Sequence, residues 1–276
     1  MINATGNRMT REIARQAKLA QDVAQTQIQL STGKRLQRAS DDPVASARVA
    51  TLRTAQANNV AWDANIRLGQ SLTAQADTVL ASASDLLVRA KELSLSAANG
   101  TLSAADRATV ASELNLLAQE MDSLASSRSS TNEPLFAIGT ARLIRFDGAT
   151  LLAPVPSRSA VFDSNGISAA QHMRDAATAI SSGNQSAISQ SLTALDNAFD
   201  QMATVQAQIG LNAARLDRLA DIQAETGIMT AAERSSLEDT DFASAVAKLN
   251  AQAITLEAAQ SAFARINRRS LFDIIG

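Results

Sequence analysis

The 276-residue chain has no cysteine and no tyrosine, a single histidine, 11 glycines and 4 prolines, and aromatic residues make up only 3% of it. Without cysteine there is no disulfide and no thiolate chemistry, which suits the cytosol and equally a chain secreted unfolded. A Cys/His zinc site or an HExxH pair cannot be written around His172 alone, and a Ser-His-Asp triad would have to use it. His172 reads instead as a solvated helical residue. So few glycines and prolines are too little punctuation for a compact α/β or all-β fold. No run reaches the roughly 18 apolar residues of a membrane span, and the polar N-terminus lacks the apolar segment of a signal peptide. Neither charge sign dominates, with 25 Lys and Arg against 27 Asp and Glu for a net charge of -2. No global field therefore draws the chain to nucleic acid or to an anionic membrane. The densest basic cluster, Arg265, Arg268 and Arg269, is short and has too few aromatics beside it to stack on bases. Phosphate-cradling glycine loops are absent from the sequence as well. These absences predict no enzyme, no cofactor, no metal, no nucleic-acid partner and no membrane insertion.

Alanine makes up about a fifth of the chain and, with Leu, Gln, Ser and Arg, favours long helices. Much of the 46% hydrophobic fraction is alanine, so the core is thin. A first helix over about residues 10–36 carries a sparse heptad stripe of Leu19, Val23, Thr26 and Leu30 and ends at Gly33. Ser40-Asp41-Asp42-Pro43 marks a restart, with Pro43 in the first turn and Asp42 as its cap. From Pro43 to Ala98 only Gly69 interrupts the pattern, and 56 helical residues would span roughly 80 Å. Asn99-Gly100 is a stop signal. Ser103 with Asp106 forms a capping box before a third helix whose Val110, Leu114, Leu117, Met121 and Leu124 should pack antiparallel on the second.

Residues 129–167 hold the other three prolines, Pro134, Pro154 and Pro156. Asp147-Gly148, between the short apolar runs 141–146 and 149–153, signals a type I′ hairpin. About 40 residues cannot build a core of their own. After Ser168 helices resume, with a break at Ser181–Asn184. A long stripe then runs through Leu192, Leu195, Phe199, Met202, Gln206, Ile209, Ala213 and Leu216 to about Glu225, with Gly227 as the stop. Acids at Glu238-Asp239-Thr240-Asp241 precede the last helix, which Thr240 or Asp241 caps, and its stripe is Phe242, Val246, Leu249, Ala253, Leu256, Gln260 and Phe263.

The pattern predicts a mainly α fold: an elongated antiparallel helical bundle and coiled coil, with paired N- and C-terminal helices and a short central β-rich excursion. Three parts are expected. Residues 1–42 with 236–276 form a terminal coiled coil, 43–130 with 168–235 a helical bundle, and 131–167 a surface insertion. Two Ala/Gln-rich helices from opposite ends of a chain make a weak pair, so they should gain order by packing on further subunits. The expected assembly residues are Leu19, Val23, Leu30, Phe242, Val246, Leu249, Leu256, Phe263 and Ile266.

Several separated motifs, in order, carry a resemblance. Ser31-Thr-Gly-Lys-Arg35 with Ala39-Ser-Asp-Asp-Pro43, Lys91 to Thr101 with Asp106-Arg107, Ala214 to Arg218, Leu237 to Phe242 and Ser270 to Ile275 resemble the flagellin superfamily. The Ser-Asp-Asp-Pro version is similar to the branch of hook-associated protein 3, the hook-filament junction protein. The resemblance implies an axial subunit of the bacterial flagellum, exported unfolded by the flagellar type III apparatus without a cleavable signal peptide and polymerised outside the cell. It also implies terminal helices in an inner tube, and as partners further copies, other hook-associated proteins, flagellin and an export chaperone. Junction proteins of this branch usually carry a larger β-rich outer domain. The short centre therefore keeps a filament flagellin open as the alternative, and a cytosolic helical adaptor is the rival of a different class.

Overall fold

The structure, a computed structural model, describes residues 2–275, with side chains described from Met9 to Arg265. Seven helices are seen among the described residues: α1 (Ile2–Thr32), α2 (Pro43–Ala98), α3 (Ala104–Ala125), α4 (Arg158–Phe162), α5 (Ala169–Ser182), α6 (Gln185–Glu238) and α7 (Phe242–Ile275). Four two-residue strands form two hairpins, β1 (Ile144–Arg145) with β2 (Leu151–Leu152) and β3 (Asp163–Ser164) with β4 (Ile167–Ser168). Two compact units are distinguishable. One comprises residues up to Ala57 with those from Gly227, and the other is Asn58–Thr226; α2 and α6 contribute to both.

Helix ends follow local chemistry. The Asp42 carboxylate accepts from the Ala45 amide at 3.0 Å, so the residue before Pro43 is the cap. Ser103 and Asp106 make the reciprocal capping box of α3. Gly183 ends α5 in the left-handed region at φ 67°. Gly227 does not end a helix: α6 continues through it to Glu238. A glycine stops a helix only where the backbone turns left-handed, and Gly227 is not among the residues with positive φ.

In the Asn58–Thr226 unit, one core gathers α2, α3, α5, α6 and the central segment. Leu80, Leu87, Leu114, Met121, Met173, Ile180, Leu195 and Met202 are fully buried. On α6 the buried positions Ile188, Leu195, Met202, Ile209 and Leu216 repeat every seven residues. α2 and α6 run antiparallel, tied by Gln70 to Asp217 at 2.7 Å and by Gln206 to Asp77 at 3.0 Å. Helix α3 lies along α5 and is linked to α2 by Arg89 and Glu113.

The central segment packs into that core through Leu135, Phe136, Ile144, Phe146, Val155, Val161 and Phe162. The Phe136 and Phe162 rings meet edge to face at 5.1 Å. Gly69 makes the docking of Phe146 feasible: a Cβ there would stand 2.8 Å from Phe146 Cε1 and 3.0 Å from Leu216 Cδ1. The first hairpin forms as expected, but Asp147-Gly148 is not a type I′ turn. Residues 146–150 connect the strands, and the Asp147 carboxylate accepts from the amides of Ala149 and Thr150 and from the Thr150 hydroxyl. Those bonds hold the Asp147 carboxyl below its ordinary range although burial opposes this. The two-residue type I′ turn is Asn165-Gly166, with φ of 54° and 79°. His172 is buried instead of solvated, its Nε2 3.2 Å from Ser164 Oγ, because α5 turns that face onto the second hairpin.

Candidate assembly interface

In the unit formed by the chain's two ends, α1 and α7 lie side by side, antiparallel. Gln16 Nε2 donates to the Ala259 carbonyl at 3.3 Å and Thr26 Oγ1 to Gln252 Oε1 at 2.9 Å. Thr26 is 1% exposed and Ala245 is 7% exposed, and they are the only fully buried residues of this pair among the described side chains. The rest of the seam is half-buried. On α7 it steps through Ala245, Leu249, Gln252, Leu256, Ala259 and Phe263, at intervals of four and three.

The expected assembly residues divide between two environments. Leu19, Val23, Leu30, Leu249, Leu256 and Phe263 are half-buried on the α1/α7 pair. Phe242 and Val246 are 56% and 46% exposed, with the Phe242 ring set against Gly33. The side chain of Ile266 lies outside the described residues, as do those of Arg268 and Arg269. Met9, Ile13, Ile28 and Ile254 are also exposed. The sequence stripe on α7 had the right period; Ala245, Gln252 and Ala259 complete it in place of Val246, Ala253 and Gln260. Small and amide side chains fill the seam, and this put its phase out of reach of a search for large apolar groups.

Where α1 ends and α7 begins, three stretches meet at one carboxylate: the link after α1, α2 and α6. Glu238, at the end of α6, is 4% exposed. Its Oε1 takes Lys34 Nζ at 2.8 Å and an Arg53 guanidinium nitrogen at 2.6 Å, and Arg234 Nε stands 3.7 Å from Oε2. The Lys34 hydrogen bond, with Arg53 beside it, holds the Glu238 carboxyl below the ordinary glutamate range against the opposing effect of burial. Around it, Arg35 N donates to the Glu238 carbonyl at 2.8 Å, Thr240 N to the Gly33 carbonyl at 2.9 Å and the Arg35 guanidinium to the Leu237 carbonyl at 2.7 Å. Asp241 caps α7 by accepting from Ala243 and Ser244. Glu238 is therefore the hub of this joint, and of the two expected caps of α7 it is Asp241 that fills the role.

The profile of the bacterial flagellin N-terminal helical region matches residues 3–140, and that of the bacterial flagellin C-terminal helical region matches residues 192–275. The chain belongs to the bacterial flagellin family. None of the curated proteins matches it significantly in sequence. Among solved structures, a Vibrio parahaemolyticus protein assigned as flagellar hook-associated is similar at a TM-score of 0.65 with 18% identity, over 72% of this chain and 100% of that one. FlgL of Xanthomonas campestris gives 0.58 with 16% identity, over 67% and 99%. The flagellar junction protein FlgL of Legionella pneumophila gives 0.55 with 14% identity, over 70% and 100%. At these identities the likeness is one of fold. Within the flagellin family the α1/α7 pair belongs to the N- and C-terminal helical regions that define it. No group of three His, Asp or Glu side chains among the described residues is placed to hold a metal ion. No helix there is long and apolar enough to cross a membrane.

Proposed function

We propose that this chain is a structural axial subunit of the bacterial flagellum, exported unfolded, polymerised outside the cell and placed at the hook-filament junction. The observation that carries the reading is the match of both flagellin helical regions, at opposite ends of the chain, to helices that pair with each other. Fold likeness to proteins named hook-associated or junction proteins, together with Ser40-Asp41-Asp42-Pro43, favours the junction. In this reading residues 1–42 and 236–276 form the inner tube, 43–130 with 168–235 the outer bundle, and 131–167 a short insertion docked on that bundle through its buried side chains. Its partners are further copies, other axial proteins and an export chaperone.

A thin seam supports the assembly role. With only Thr26 and Ala245 buried among the described side chains of the pair, and Ile13, Ile28, Phe242, Val246 and Ile254 exposed, the described part of the pair buries little apolar area by itself and gains by burying more against neighbours. The brevity of the 131–167 segment favours a second reading, a filament flagellin. Labelling the protein on intact flagella separates the two. A single spot at the hook is expected, and staining along the whole filament would sink the junction assignment.

Val246→Asp and Leu256→Asp are expected to leave the Asn58–Thr226 unit folded while abolishing assembly, because each puts an unpaired charge into a subunit seam. Sedimentation reads assembly and circular dichroism reads folding. Normal incorporation of both variants would remove the terminal pair from the assembly surface.

A further inference from the structure

The pair Asn-Gly occurs twice in the chain, at Asn99-Gly100 and Asn165-Gly166. In such a pair the glycine nitrogen can attack the asparagine carboxamide, because no side chain of its own shields it. A folded chain permits this only where that N–H is free of a hydrogen bond and the backbone can rotate it toward the asparagine Cβ. Asparagines inside helices, such as Asn115 in α3 and Asn212 in α6, meet neither condition, since the next residue's N–H is held in the helical ladder. At Asp147-Gly148 the side chain is engaged by the Ala149 and Thr150 amides and by the Thr150 hydroxyl.

Both Asn-Gly pairs are exposed, but their backbones differ. Asn165 has φ 54° and Gly166 φ 79°, in a two-residue turn closed on either side by the paired Ser164 and Ile167. Swinging the Gly166 nitrogen toward the Asn165 side chain breaks that turn, so the hairpin must open first. Asn99 directly follows α2 and belongs to no helix or strand. Neither its carboxamide nor the Gly100 N–H has a partner among the described residues, and a Cβ at Gly100 would meet nothing within 4 Å. The link is held only on its two sides: the Ala98 carbonyl accepts from Gln185 Nε2 at 2.7 Å, and the Leu102 carbonyl from the Arg107 guanidinium at 2.9 Å.

We propose that Asn99 is a site of spontaneous deamidation. The Gly100 nitrogen bonds to Asn99 Cγ, the Cγ–Nδ2 bond breaks, and Nδ2 leaves as ammonia with the proton that the Gly100 amide gives up. Water then opens the cyclic imide, and no atom changes oxidation state. Opening at Cγ gives aspartate, and opening at the backbone carbonyl gives isoaspartate, whose main chain is one carbon longer. With age the chain thus acquires a carboxylate at the negative end of α2 and, in the isoaspartyl product, an extra backbone carbon in a link pinned at Ala98 and Leu102.

Peptide mapping of the full-length protein tests this, after the folded chain has aged at mildly alkaline pH in water enriched in heavy oxygen. The isotope separates conversion during ageing from conversion during digestion. Trypsin releases Asn99 within 92–107 and Asn165 within 159–174, so one sample reads both sites. In the folded chain Asn99 is expected to convert about tenfold or more faster than Asn165, and in denaturant the two rates should approach each other within about threefold. Electron-transfer fragmentation should find isoaspartate at residue 99, the mark of the imide route. Equal conversion at the two sites in the folded chain overturns the proposal. So does a folded Asn99 that stays intact while the denatured chain converts, or a product at residue 99 that is aspartate alone.

Discussion

The Asn58–Thr226 unit and the unit of the chain ends are both built from antiparallel helices with seven-residue periodicity, yet they bury different things. The first fills its heptads with Leu, Met, Ile and Phe at near-zero exposure and closes them with a hairpin and two aromatic rings. The second fills them with Ala, Thr and Gln and leaves Leu and Phe half in water. Periodicity therefore specifies which helices pair, while side-chain volume decides whether the pair is a closed core or a half-exposed seam.

The largest effect that would break this contrast is a truncation inside the first unit. Phe146 is fully buried between α2 and α6, and Phe146→Ala is expected to destabilise that unit by about 3–5 kcal/mol in denaturant unfolding. Leu19→Ala, at a half-buried position of the terminal pair, should move the same transition by no more than about 1 kcal/mol, while weakening assembly. Equal losses for the two would erase the distinction between core and seam.

A smaller change sharpens it. Gly69→Ala should raise helix propensity by about 1 kcal/mol, but the added methyl would enter space held by the Phe146 and Leu216 side chains at 2.8 and 3.0 Å. Both are fully buried, so neither can yield cheaply, and overpacking of about 1–3 kcal/mol should win. A net loss of about 1 kcal/mol in thermal or denaturant melts is expected, and a net gain would mean that the hairpin docks more loosely than its burial indicates.

What could be read from the sequence were the features whose signal is local. Pro43 with Asp42, Asn99-Gly100 and Ser103 with Asp106 place helix ends where they occur, and the Leu/Met stripes identify the central core. Asn165-Gly166 carries an equally local signal, a strong short hairpin dipeptide, whereas the carboxylate of Asp147 beside Gly148 builds a longer loop. Glu238 had no such signal. Its partners Lys34 and Arg53 are 204 and 185 residues away, and only the pairing of the chain's ends makes the three neighbours. His172 is similar: nothing in its own helix says that a two-residue strand will cover it.

Gly227 offers the smallest and most discriminating test, since sequence and structure read it in opposite ways. As a helix stop it would need the left-handed region, where alanine is strained and Gly227→Ala would destabilise by about 1 kcal/mol or more. Inside α6 its backbone is helical, and a Cβ would meet nothing within 4 Å. Alanine then has only advantages, in helix propensity and in the entropy of the unfolded chain, so Gly227→Ala should stabilise by about 0.5–1 kcal/mol. Gly210, also helical and equally open, should respond alike although it lies in the other unit. A thermal melt of each variant decides it. Matching gains would show that α6 is continuous through both units, whereas a gain at Gly210 with a loss at Gly227 would show that the helix breaks where the chain ends begin to pair.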